Sequence, residues 1–187
     1  KIIGEFMYDV ILVRYGEMTL KKQNYLTFLR KINENIINKC KSLPRLTFTN
    51  TNYRFYINLN GEDEQKVIDI LNTVVGLSSY SLCKRVSPNL EEIAANAVDI
   101  INEERPNHPF SFKVETHRGD KNFPFTSIEI SQKVAGKIIP QISGMTVDVH
   151  NPDLTLSIDL RTEGAYIYTK VIKGLGGYPS GIAGKGL

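Results

Sequence analysis

The sequence predicts an α+β chain of two modules, a βαββαβ unit followed by a second α/β unit, and three observations carry that expectation. Between Tyr8 and Val86 the apolar spacing changes between strand and helix periods in the order strand, helix, strand, strand, helix, strand. Ser87-Pro88-Asn89 then interrupts the pattern with a proline that cannot continue a central strand and an asparagine suited to capping a helix. A fresh series of helix and strand signals follows, and 187 residues suffice for two compact modules of modest size.

Taken in order, Tyr8 to Tyr15 is a β-branched run that reads as a buried strand ended by Gly16. Thr19 is placed to cap a helix over Leu20 to Lys41, where Tyr25, Phe28, Leu29, Ile32, Ile36 and Ile37 recur at three- and four-residue intervals. Strands at Arg45 to Thr49 and Tyr53 to Leu59 flank a turn at Asn50-Thr51-Asn52, and Asn60-Gly61 closes the second. Helical spacing returns over Glu62 to Val75 through Val67, Ile70, Leu71 and Val74, before a strand at Ser79 to Val86. This order is the ferredoxin-like pattern, two helices on one face of an antiparallel sheet, and by itself it assigns no function. Beyond the boundary, Asn89 caps a helix over Leu90 to Asn102, and Phe110 to Thr116 alternates as a strand. Ser127 opens a helix to about Ile139, and strands are expected at Thr146 to Val149, Leu154 to Leu160 and Tyr166 to Ile172.

With 41% hydrophobic and 23% charged residues the composition is that of an ordinary soluble protein, and no apolar run is long enough to span a bilayer. Lys1 to Phe6, ahead of Met7, read as a vector-derived leader with no secretory character. Cys40 and Cys83 lack metal-ligand spacing, which fits buried thiols in a reducing cytoplasm. The net charge of +3 is unremarkable, but its distribution is uneven: from Arg14 to Arg45 eight Lys or Arg face two acids, Glu17 and Glu34. Acids gather at Glu62 to Glu64 and Glu91 to Glu104, a division that suits a polyanion on one face. His108, His117 and His150 are scattered, so neither a metal site nor a Cys-His nucleophile is expected. The terminal glycines do not make a Walker loop, because Pro179 stands where a glycine is needed and Gly186 where Ser or Thr would hold magnesium.

Two strings in the second module, Phe112-Lys113-Val114-Glu115-Thr116-His117-Arg118-Gly119-Asp120-Lys121-Asn122-Phe123-Pro124-Phe125-Thr126-Ser127 and Val147-Asp148-Val149-His150-Asn151-Pro152-Asp153, resemble a THUMP domain, an RNA-binding module of tRNA-modifying enzymes. Leu12-Val13-Arg14-Tyr15-Gly16-Glu17 and the run Gly176 to Gly186 resemble the ThiI-type 4-thiouridine synthetases. The resemblance implies a ferredoxin-like domain over 7–86, a THUMP domain over 87–173 and, over 174–187, a glycine-rich linker to a PP-loop domain. In such enzymes that domain uses ATP and Mg to adenylate a uridine near the tRNA elbow, at position 8, before sulfur displaces the adenylate. The Ser-Gly-Gly-x-Asp-Ser phosphate loop is absent from this sequence, so the chain alone is expected to bind no cofactor and to be inactive. The resemblance further implies tRNA as partner, a cysteine desulfurase as sulfur donor, a homodimer, and a possible sulfur-transfer role in thiamine biosynthesis. Where the family continues Leu-Lys-Gly-Lys-Asn-Arg, this chain reads Leu20-Lys21-Lys22-Gln23-Asn24-Tyr25, losing the glycine and the arginine but keeping charge at Lys22.

The candidate RNA contacts are Lys113, His117, Arg118, Lys121, Asn122, Phe123, Lys133 and Lys137 in the second module, with Arg14, Lys21 and Lys22 in the first. Cations and free N–H groups between a strand and a helix N-terminus suit a phosphate or a 3′ terminal nucleotide. Phe123 or Phe125 could stack on an unpaired base, although both also suit a core. Lys133 and Lys137 share a helix face that is either solvated or set against phosphate. Arg14 pairs with Glu17 or faces a ligand, and His150 steadies its own turn. Basic side chains of both halves are expected to form one positive groove sized for an acceptor stem. Two other readings compete: an acylphosphatase-like hydrolase using Arg14 and Asn24, which lacks the glycine-rich loop of that chemistry, and a protein-interaction module.

Overall fold

The structure, a computed structural model, describes residues 8–16, 23–51 and 54–175. Its contacts divide the chain into two units, one of residues through Leu82 together with those from Val171 onward, the other Cys83–Lys170.

The first unit contains β1 (Val10–Tyr15), α1 (Tyr25–Lys39), β2 (Thr47–Thr51), β3 (Arg54–Asn58), α2 (Glu64–Leu71) and the opening half of β4 (Leu77–Val86). Its strand order is β2-β3-β1-β4, with β3 antiparallel to both β1 and β2. Strand alternation turns Ile11, Val13 and Tyr15 to one face, where they share a core with Leu29, Ile32 and Ile36 of α1 and Val67 and Leu71 of α2. Both helices therefore cover the same side, as the ferredoxin-like order requires.

The boundaries differ from the sequence expectation for local reasons. Thr19 and Leu20 lie outside the described residues, and α1 starts behind Asn24, whose side chain makes no capping bond. Ile37, counted in the apolar stripe, is exposed, while Asn33 is buried because the Tyr15 hydroxyl donates to its Oδ1 at 2.6 Å. Both hairpin strands shift: Arg45 N–H donates to Glu62 Oε2, holding Arg45 outside β2, and the pairing runs to Thr51↔Arg54, so Asn50 and Thr51 are strand. Asn52 and Tyr53 lie outside the described residues. Asn60 and Gly61, at φ 49° and 89°, form the turn their identity suggested. Asp63 caps α2 through the Gln65 N–H, and the helix ends at Leu71 although Val74 remains buried, because the Thr73 and Val74 N–H groups bond in turns to Ile70 and Leu71.

The second unit holds the rest of β4, α3 (Leu90–Glu104), β5 (Phe110–Arg118), α4 (Ser127–Ile138), a 3-10 turn at Ile139–Gln141, β6 (Met145–Val147), β7 (Leu154–Arg161) and β8 (Gly164–Tyr168). Asn89 caps α3 as expected, accepting from Glu91 and Glu92 N–H. The strand order β4-β8-β7-β5-β6 places β5 between two parallel neighbours. Ile93, Ala97, Ile100, Ile130, Val134, Phe112, Leu156, Ile158 and Leu160 are buried, each large aliphatic contributing about 1.5–3 kcal/mol by leaving water. The strand expected over Tyr166 to Ile172 is two pieces. Lys170 Nζ reaches Glu104 Oε2 at 2.7 Å, Val171 is exposed, and β9 (Ile172–Lys173) pairs with Ser79 and Tyr80 in the first unit. Among the described residues no helix is long and apolar enough to cross a membrane.

Candidate nucleic-acid interface

The turn between β5 and α4 is built by two opposed requirements. Strand periodicity points Thr116 toward α4, where its Oγ1 lies 2.7 Å from Ser131 Oγ, and Arg118 falls on the same face. Lys113, Glu115 and His117 point to the other face, and His117 pairs in register with Asp159 of β7. His117 and Arg118, expected in the loop, are the last residues of β5. A side-chain period of two thus separates residues that stand next to each other in the sequence: Arg118 is brought to the helix face with Lys133, whereas Lys113 and His117 are not. Lys113 lies 3.4 Å from Glu115 on its own strand.

Arg118 organises the turn. Its Nη1 lies 3.3 Å from each of the carbonyl oxygens of Lys121 and Phe123 and donates to both, so backbone folds around the guanidinium and no carboxylate takes its charge in an ion pair among the described residues. Asp120 Oδ1 accepts from the Asn122 N–H, and the Phe123 N–H donates to the Asp120 carbonyl. Lys121 and Asn122 are exposed at the tip, and Lys121 forms no ion pair among the described residues. Phe123 and Phe125 are half-buried and meet edge to face, centroids 6.2 Å apart, and Lys133 Nζ stands 4.6 Å from the Phe125 centroid. Neither ring is fully buried.

The start of α4 is less available to an anion than the sequence suggested. Thr126, one residue before Ser127, is the cap: its Oγ1 accepts from the Glu129 N–H at 3.2 Å while Glu129 Oε1 accepts from the Thr126 N–H at 2.9 Å. That backbone bond, then Thr126's side chain and nearby Lys133, hold the Glu129 carboxyl below its ordinary value, so a negative charge already occupies this end. Lys137, four residues beyond Lys133, is engaged by Glu91 of α3. The His150 turn is held by Asp148, which accepts from the Asn151 and His150 N–H groups; these bonds and, more weakly, the nearby His150 ring hold its carboxyl low. Arg14 is half-buried on the sheet face away from α1, with Nη1 donating to Ser81 Oγ at 2.9 Å and Ser79 Oγ at 3.3 Å. Glu17, Lys21 and Lys22 lie outside the described residues.

Sequence reasoning missed Arg161. Its Nε donates to Oδ1 of Asp159, itself only 2% exposed, at 2.9 Å, and the guanidinium runs over Gly119. A Cβ on Gly119 would stand 2.5 Å from Arg161 Nη1. The signal was present as two opposite charges spaced by two in an otherwise alternating strand, Asp159-Leu160-Arg161.

A ferredoxin-like unit followed by an α/β unit with a cationic, aromatic turn places the chain among two-module α+β proteins. The comparisons make the class specific: residues 10–81 match the family model of the ThiI ferredoxin-like domain, and residues 87–170 that of the THUMP domain. The chain thus carries a ThiI ferredoxin-like domain followed by a THUMP domain, which together span most of its length. It is 41% identical to a "Probable tRNA sulfurtransferase" of Acholeplasma laidlawii over 97% of this chain and 43% of that protein. A protein of the same description from Brevibacillus brevis is 38% identical over 95% of this chain and 44% of its own length. The chain therefore spans less than half the length of these relatives. Among solved structures, a Pyrococcus horikoshii protein superposes with a TM-score of 0.77 at 28% identity, covering 92% of this chain and 58% of that one. A 4-thiouridine synthetase in complex with RNA and bound ATP gives 0.76 at 27% identity, covering 93% and 44%.

Proposed function

We propose that this chain is the RNA-gripping region of a tRNA sulfurtransferase that makes 4-thiouridine, and that its β5–α4 turn receives the 3′ end of the tRNA acceptor arm. The observation that carries the reading is the turn itself: Arg118, Lys121 and Lys133 make no ion pair with a carboxylate among the described residues, Arg118 holds the Phe123 carbonyl, and Lys133 stands over the ring of half-buried Phe125. Cations not paired to a carboxylate release counterions when they meet phosphate, and an aromatic ring offers a stacking surface to an unpaired base. The RNA complex of the similar 4-thiouridine synthetase supports tRNA as the partner. In this reading ATP and Mg serve a PP-loop domain, a cysteine desulfurase supplies sulfur, the whole enzyme is a cytoplasmic homodimer, and sulfur transfer to thiamine synthesis is a second use. The hydrolase alternative is disfavoured because Arg14 is turned onto Ser79 and Ser81, on the face opposite α1, whose N-terminus carries Asn24.

The salt dependence of tRNA binding tests the proposal. Lys121→Ala and Lys133→Ala should each reduce the slope of log affinity against log salt by roughly one, while Lys137→Ala, whose charge Glu91 already engages, should change it less. An unchanged slope in the first two variants, or the largest change at Lys137, contradicts it.

A further inference from the structure

We propose that the first unit holds a separate site for one unpaired nucleotide, in a cavity between α1 and the end of β2; the inference rests on the RNA reading only for the source of that nucleotide. The cavity encloses about 380 Å³, toward the lower end of the roughly 300–1,000 Å³ typical of small-ligand pockets. Tyr25, Leu26 and Leu29 give it an aromatic and aliphatic wall, Arg30 and Asn33 supply donors, and Asn50 closes the β2 side. Leu26 is 59% exposed, an apolar side chain left facing water at the mouth.

Asn33 is the informative residue. It is only 5% exposed, it lines the cavity, and its Oδ1 is occupied by the Tyr15 hydroxyl. Its amide NH₂ has no hydrogen-bond partner among the described residues. Tyr15, from the Arg14-Tyr15-Gly16 string at the end of β1, thus fixes the amide so that the donor end is left for the cavity. Arg30 forms no ion pair or hydrogen bond among the described residues, and none of the described residues lining the space is a carboxylate. Two donors, one fully charged, set against a tyrosine ring and two leucines match a ligand with an anionic group, hydrogen-bond acceptors and a flat apolar body. A nucleoside monophosphate has all three: its phosphate meets Arg30, its base lies on the Tyr25 and Leu29 wall, and a base carbonyl or ring nitrogen accepts from Asn33.

The test is an NMR titration of the chain with UMP and AMP, with uridine and inorganic phosphate as partial ligands and a single-stranded RNA tetranucleotide as competitor. UMP or AMP should shift amides of α1 and the end of β2, and Arg30→Ala should weaken that binding roughly tenfold while uridine binding changes little. Lys121→Ala should leave it unchanged, so failure of the β5–α4 reading is told apart from failure of this one. Displacement by the tetranucleotide assigns the site to RNA, and resistance to displacement assigns it to free nucleotide; either supports the shared chemistry. The proposal is overturned if neither monophosphate shifts these residues, if Arg30→Ala leaves binding intact, or if inorganic phosphate binds as tightly as UMP.

Discussion

Gly119 carries a hydrogen where any other residue would meet the Arg161 guanidinium, 2.5 Å from a built Cβ. Arg161 cannot simply swing away, since it is a partner of the buried Asp159. Gly119→Ala should therefore destabilise the second unit by about 1–2 kcal/mol in urea unfolding, and much less in an Arg161→Ala background, because contacting sites are not additive. The glycine was visible in the sequence as part of the His117–Asp120 string, but its reason was not, because Arg161 lies far along the chain and only the parallel pairing of β5 with β7 brings them together. At the same scale, burial raises the Cys40 thiol from 9.0 to about 11 and the Tyr15 phenol from 10.0 to about 12. Each folded value exceeds its unfolded one, so the folded state holds more protons between the two and stability is full below the unfolded value and lost as pH rises. Unfolding free energy should fall between pH 9 and 12, roughly 2 kcal/mol for each group, and Tyr15→Phe should remove the upper part of the decline.

At the scale of elements, α4 owes its first turn to the Thr126–Glu129 box. Thr126→Ala should lower stability by about 1 kcal/mol in thermal unfolding, since two N–H groups lose their side-chain acceptors or the geometry that holds them. The helices and most strands were legible because apolar periodicity reports burial directly. Ends were not: α2 stops at Leu71 although Val74 continues the apolar pattern, and β2 begins at Thr47 because Glu62 holds Arg45. A side chain's identity shows that it wants burial, not whether helix or turn delivers it there. The same limit hid the split of the candidate site. His117 and Arg118 read as one basic string, and only knowing that both belong to β5 separates them onto opposite faces.

At the scale of the molecule, two units are each built around their own core, and β4 takes part in both. The ferredoxin-like character was legible from the order of strand and helix periods, and the THUMP character from two strings that resemble that domain. What the sequence could not separate was cation from available cation. Lys133 and Lys137 look equivalent on paper, but α3 brings Glu91 to one and Phe125 lies beneath the other. The proposed function depends on what the β5–α4 turn receives. The most direct measurement compares binding of the chain to intact tRNA and to tRNA lacking its 3′ terminal nucleotides at one fixed salt concentration. Loss of a stacked terminal base should weaken binding about tenfold, and Lys121→Ala should shrink the difference between the two RNAs. Equal affinity for both would contradict the assignment of this turn to the 3′ end.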